Sequence, residues 1–331
     1  MAAVPVVQQD PRFWGGRSVF VTGCSGFLGG WLARALLDLG ARVSGLVRGA
    51  AEARPIFADG LADRVSTVSG SIGDLTLLSD TLAEHDVEVV FHLAAQAITS
   101  AARLDPIGTL DTNIRGTWNV LEASRRSGSV KAFVLASSVK VYGAQPSLPF
   151  SEDAPLNGCQ PYDASKIGAE LISSTYHRAY ELPVVITRCG NLYGGGDLHW
   201  DRIVPGTIRA ATEGRRPVVR GGGTPLRDYL YVEDAIDAFL RLAQVAGEPA
   251  IAGQAFNIGT GAPTSELEMT EHILRAMDRE DLQPEVLPAP PHAIVHQSLA
   301  PDKLCAATGW TATRELEDGL ARTVDWYRDY L

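Results

Sequence analysis

Through the first half of the chain, short apolar or β-branched runs alternate with longer stretches whose apolar residues recur every third or fourth position. The runs at 18–22, 42–47, 65–68, 88–93, 132–137 and 183–187 have the length and composition of strands. Between the first two, Leu28, Leu32, Ala35, Leu36 and Leu39 recur at helical spacing, and Gly40 stops the run. Amphipathic patterns over 110–127 and 165–181 predict two further long helices. Such alternation predicts helical crossovers between parallel strands. The fold class expected is α/β, a doubly wound parallel sheet covered on both faces.

Beyond Arg188 the rhythm loosens. "GGGD" and "GGGTP" read as loops, with a helical stretch between them over 201–214. Strands near 227–232 and 255–258 return to the main sheet or border it, and a Pro-rich segment leads to a closing helix at 315–331. This divides the chain into a domain of residues 1–188 plus about 226–262 and a smaller, discontinuous C-terminal lobe of about 189–225 and 263–331.

Composition narrows the function. The chain of 331 residues has a net charge of -10, which argues against a nucleic-acid footprint or a polybasic membrane surface. No apolar run reaches the roughly 20 residues of a membrane span, and the N-terminus shows no export signal. Cys24, Cys159, Cys189 and Cys305 are scattered, without Cys-x-x-Cys spacing, and read as reduced thiols with no metal centre. A cytoplasmic location is the expectation.

The run "VFVTGCSGFLGG" supplies the first chemistry. Gly23 permits a tight turn, Gly26 lets backbone approach a pyrophosphate, and Gly29 lets the helix pack on its strand. With Ser25, Phe27 and Leu28, these residues form a candidate dinucleotide loop at a helix N-terminus. "GDL" follows the third strand, where Asp74 would accept the adenine amino group beside Leu75. "HLAAQ" follows the fourth, where Leu93, Ala94, Ala95 and Gln96 leave room for the cofactor riboses; His92 reads as a core residue. The second strand ends in Val47-Arg48-Gly49, without the acid that an NAD site presents to the ribose 2′-hydroxyl. Arg48 pairs with a 2′-phosphate, stacks on adenine or points into solvent, so the cofactor is NAD or NADP with Arg48 leaning to NADP.

"PYDASK" places Tyr162 and Lys166 four residues apart, on one face of a helix. A phenol of pKa about 10 is a poor base at neutral pH. A neighbouring ammonium and a positive nicotinamide would favour the phenolate. Ser138, at the end of the fifth strand in "ASSVKVYG", is placed to hold the same substrate oxygen.

These motifs resemble an extended short-chain dehydrogenase/reductase of the nucleotide-sugar epimerase/dehydratase family. The likeness runs through Thr-Gly-x-x-Gly-x-x-Gly at 22–29, "AAQ" at 94–96, Ser138, Tyr162/Lys166, "RCGNLYGGG" at 188–196 and "LRDYLYVED" at 226–234. "FWGGRSVFVTG", "GNLYGGGDLHWDRIVP" and "PPHAIVH" are similar to CDP-glucose 4,6-dehydratases, and "VSGLVRG" and "GDLT" to GDP-mannose 4,6-dehydratases. The resemblance implies a Rossmann-type sheet, an NDP-hexose substrate, a homodimer, and a cofactor tightly bound in an epimerase or dehydratase. It implies that Tyr162 takes the 4-hydroxyl proton while hydride leaves C4, Lys166 bonds the nicotinamide ribose, and Asn191 and Arg227 bind the diphosphate. Arg202, Arg220 and His292 complete the candidate substrate set. Arg227 has a structural alternative, pairing with Asp228 or Asp234.

In dehydratases of the family, the residues after the catalytic Ser or Thr supply an acid and a base. Here they are Val139 and Lys140. Valine donates no proton; Lys140 is either the base or an ordinary loop lysine. A 4-epimerase is therefore expected first, then a 4,6-dehydratase, then a 4-ketoreductase. A non-catalytic dinucleotide sensor comes last, since it has no use for the Ser138/Tyr162/Lys166 set.

Overall fold

The computed structural model describes residues 9–49, 60–289 and 296–331. Its centre is a sheet of seven parallel strands: β1 (Ser18–Thr22), β2 (Arg42–Val47), β3 (Ser66–Ser69), β4 (Val89–His92), β5 (Ala132–Ser138), β6 (Val184–Cys189) and β7 (Ala255–Ile258). The order across the sheet is β7-β6-β5-β4-β1-β2-β3. Alternation within strands explains the layering. Val19 and Val21 of β1 face one core while Phe20 faces the other, and Val134 and Phe133 of β5 divide in the same way. Apolar on both faces, these strands require helices on both sides.

The helices that matter for the site are α1 (Phe27–Asp38), α2 (Leu75–Glu84), α3 (Gly116–Ser127), α4 (Pro161–Tyr180), α5 (Ile203–Thr212), α6 (Val232–Val245), α7 (Glu266–Ala276) and α8 (Leu316–Tyr330). After β3 the chain crosses back to pair β4 against the free side of β1. A crevice opens where two neighbouring strands lead their connections in opposite directions, here at the carboxyl ends of β1 and β4. The glycine turn after β1 and the loop after β4 meet there: a Cβ on Gly23 would lie 2.9 Å from Ala94 N.

Two expected elements differ. The helix foreseen over 110–127 is a helix at Pro106–Leu110, a π-turn at Asp111–Arg115 and then α3. The widened turn contains Asn113, whose amide is engaged by Gln96 and Ser165 rather than pointing to solvent. The strand foreseen over 227–232 is two short ones, Leu226–Arg227 and Tyr229–Tyr231, neither in the main sheet. Asp228 divides them, because its carboxylate accepts bonds from Thr260 N (2.7 Å), Gly261 N (3.1 Å) and Leu299 N (3.0 Å). The first piece pairs with Thr264–Ser265 and the second with Asn191–Tyr193. No described helix is long and apolar enough to cross a membrane.

Candidate active site

The crevice widens into a cleft of about 1220 Å³, walled by the glycine loop on one side and by residues of 189–229 on the other. Gly23 turns the chain at φ +76°, and a Cβ on Gly29 would sit 2.1 Å from Gly23 O, so this loop closes only with glycine there. α1 starts at Phe27 with Gly26 as its N-cap and no side chain capping it. Its first N–H groups are left for an external acceptor, and Gly26, Phe27 and Leu28 face the cleft with Ser25. Leu93, Ala94, Ala95 and Gln96 form the opposite wall, and Arg48 is exposed at the rim beyond β2. An uncapped helix end facing a cleft of this size fits a dinucleotide pyrophosphate.

Asp74 and Leu75 follow directly on the corner of the cleft before α2. The wall at that corner is Ser71, Ile72 and Gly73. Asp74 is the N-cap of α2, its Oδ1 accepting Leu77 N–H at 3.0 Å, and Leu75 packs against the core on that face. His92 is a neutral core residue between Thr22 Oγ1 (2.7 Å) and Thr117 Oγ1 (3.0 Å), with burial holding its pKa near about 3.

Ser138, Tyr162 and Lys166 converge on the cleft. β5 delivers Ser138 at its carboxyl end; α4 presents Tyr162 in its first turn, where the helix dipole favours an anion, and Lys166 one turn on. The Ser138 hydroxyl lies near enough to the Tyr162 phenol to favour its ionised form. Asn113 braces this arrangement, donating to Ser165 Oγ at 2.8 Å and clasping Gln96 through both its N–H and its carbonyl (2.7 and 3.1 Å). Sequence reading passed over Asn113; the one signal was an amide on the inner face of an amphipathic pattern.

Burial dominates the electrostatics of both groups. Lys166 Nζ donates to Ala136 O at 2.8 Å, and burial lowers its pKa to about 8. Burial pushes the Tyr162 phenol up to about 12, against the opposing pull of the nearby Ser138 hydroxyl and the Arg202 charge.

Val139 turns away from the cleft into an apolar cluster with Val141, Tyr142, Phe150 and Leu299. Lys140 turns towards it, donating to Gln297 Oε1 at 2.7 Å; burial, then the Arg227 charge, lowers its pKa to about 8. Asn191, Arg202, Arg220 and Arg227 also line the cleft. Arg202 is tied to Asp197 at 2.8 Å, and exposed Arg220 lies 3.4 Å from Asp201 O. The pairing of Arg227 with Asp228 or Asp234 is not found. Asp234 instead bonds Thr313 N and Arg314 N, and among the described residues Arg227 is ion-paired with Glu266 at 3.1 Å. His292 lies outside the described residues.

Comparison with known proteins agrees with this geometry. Residues 19–259 match the model of the NAD dependent epimerase/dehydratase family. The chain is 35% identical to a UDP-glucose 4-epimerase of Mycolicibacterium smegmatis, covering 93% of this chain and 98% of the relative. It is 30% identical to a CDP-glucose 4,6-dehydratase of Salmonella typhimurium over 97% of this chain and 93% of that one. The crystal structure of a UDP-glucose 4-epimerase from Thermotoga maritima superposes with a TM-score of 0.86 at 27% identity, covering 95% and 99% of the two chains. With the uncapped glycine loop and the Ser138/Tyr162/Lys166 set on one cleft, the conclusion is that this chain belongs to the NAD dependent epimerase/dehydratase family.

Proposed function

We propose that the chain is an NDP-sugar 4-epimerase working through a 4-keto hexose. Tyr162, as phenolate, takes the proton of the sugar 4-hydroxyl; Ser138 holds that oxygen as it becomes a carbonyl; Lys166 bonds the ribose next to the nicotinamide. A nicotinamide dinucleotide bound along the glycine loop supplies the hydride acceptor and a positive ring that helps ionise the buried phenol. Return of the hydride to C4 from the other face of the keto sugar, with Tyr162 giving its proton back to the 4-oxygen, would invert C4. Asn191, Arg202, Arg220, Arg227 and His292 are assigned to the substrate, with Arg227 on the diphosphate because its planar fork matches phosphoryl oxygens.

One observation carries the choice of epimerase: Val139 stands buried among apolar side chains where elimination needs a proton donor. Lys140 keeps 4,6-dehydratase as the second reading, since an amine of pKa about 8 facing the cleft is in the range of a base. Ketoreductase is third. Incubation with UDP-, dTDP-, GDP- and CDP-hexoses is expected to give a product of unchanged mass with inverted C4. Loss of a water would favour the dehydratase, and gain of two hydrogens the reductase.

The finer properties belong to the same proposal. Arg48 at the rim leans the site to NADP, and a cofactor reoxidised within each cycle is held tightly. Leu104 and Ile107, 88% and 80% exposed, lie on helices that pack against α4 along with α3, and Leu171 and Trp118 add exposed apolar area. An apolar face of this kind suits a second copy of the chain. The four cysteines are free, in keeping with a cytoplasmic protein. One purified preparation checks these points. It is expected to sediment at twice the chain mass and to release NADP on denaturation; NAD alone would remove Arg48 from cofactor choice, and a monomer would remove the dimer.

A further inference from the structure

Arg227 is not idle in the cleft. Its Nη1 donates to Leu226 O at 2.9 Å and its Nη2 lies 3.1 Å from Glu266 Oε1. Both side chains are mostly buried, 11% and 18% exposed. The backbone builds this pairing. Thr264 lies opposite Arg227 in an antiparallel ladder, and Glu266 is the first residue of α7, just past that ladder. The capping box of α7 does not use the Glu266 carboxylate. Ser265 and Glu268 exchange the capping bonds, at 3.1 and 3.0 Å, and the Glu266 N–H is held by Pro225 O at 3.2 Å. A carboxylate outside the capping box of its own helix lines the cleft on the arginine assigned to phosphate.

We propose that Glu266 is a built-in competitor for the anion subsite on Arg227, so that a substrate diphosphate binds there by exchanging with the carboxylate. The inference rests on the nucleotide-sugar reading above. Carboxylate and phosphoryl oxygens are equivalent partners for a guanidinium fork, and neither charge of a mostly buried pair is left alone cheaply. Lys140, whose charge is already coupled to Glu266, is the cation at hand for the displaced carboxylate. Selectivity follows. A full diphosphate displaces Glu266, whereas a ligand bringing one weak anion leaves the internal pair in place.

The test is calorimetric titration with UDP-glucose, dTDP-glucose and CDP-glucose at fixed salt. For whichever binds the wild type most tightly, Glu266→Gln and Glu266→Ala are each expected to tighten binding about tenfold. Burial raises the Glu266 carboxyl above its ordinary range, so wild-type affinity rises as pH falls towards that pKa and Arg227 is released. That slope disappears in Glu266→Gln. Lys140 from the end of β5, Asp163 from α4, Tyr229 from the neighbouring strand and His296 beside Leu226 also face this cluster. They are unchanged in the variant and set a common baseline. Equal or weaker binding by both variants overturns the proposal, because the carboxylate then orients Arg227 for the substrate or plays no part. Failure of the wild type to bind any of the three, or GDP-mannose as well, overturns the nucleotide-sugar reading itself.

Discussion

Phenylalanine at position 162 is expected to lower turnover by about a thousandfold while leaving dinucleotide binding intact. The change deletes one oxygen from a buried ring and keeps the ring that packs there. What is lost is the hydroxyl that shares the cleft with Ser138 and Lys166. The neighbouring groups are poorly placed to substitute. Lys166 holds Ala136 O and is assigned to the cofactor ribose, and Ser138 Oγ accepts the Lys140 N–H at 3.2 Å. Steady-state turnover, with the bound nucleotide quantified in the same sample, gives the check. Activity within about tenfold of wild type, with nucleotide bound, would assign the proton to another group.

The second large effect lies behind the site. Glu170→Ala is expected to destabilise the fold by about 3–5 kcal/mol. Glu170 stands one turn past Lys166 on α4 and pairs with Arg188 of β6 at 2.8 Å, the two side chains 3% and 8% exposed. Arg188 also donates to Tyr142 Oη (2.9 Å) and Glu152 O (3.0 Å), and Ser137 Oγ donates to Glu170. Truncation leaves a guanidinium buried without its counter-ion, which is costlier than losing the pair altogether. Replacing both residues with methionine is therefore expected to cost far less than Glu170→Ala alone. Urea denaturation of the three proteins measures it. A loss below about 1 kcal/mol for Glu170→Ala would mean that the pair carries little of the stability.

What was legible in the sequence was local. The β1 strand, the glycine turn and α1 are neighbours in the chain, so their spacing alone points to a phosphate loop. Tyr162 and Lys166 are one helical turn apart, and Ser138 is marked by a strand end. What stayed hidden depends on residues distant in sequence. Glu266 reaches Arg227 only through the ladder between 226–227 and 264–265, and Gln297 meets Lys140 across nearly half the chain. Asp228 was legible as a charge but not as the bond acceptor that splits a strand, because its donors Thr260, Gly261 and Leu299 come from later loops. The burial of Tyr162 stayed hidden for a related reason. Spacing shows which groups are near, whereas burial, which dominates this phenol, belongs to the assembled cleft.

The most direct test of inversion through a C4 ketone follows a deuterium placed at C4 of the nucleotide hexose that the protein turns over. The expected product is the C4 epimer with the label still at C4, because the hydride leaves and returns within one closed site. Label found at C6 of a dehydrated sugar, or exchanged into solvent, would contradict it.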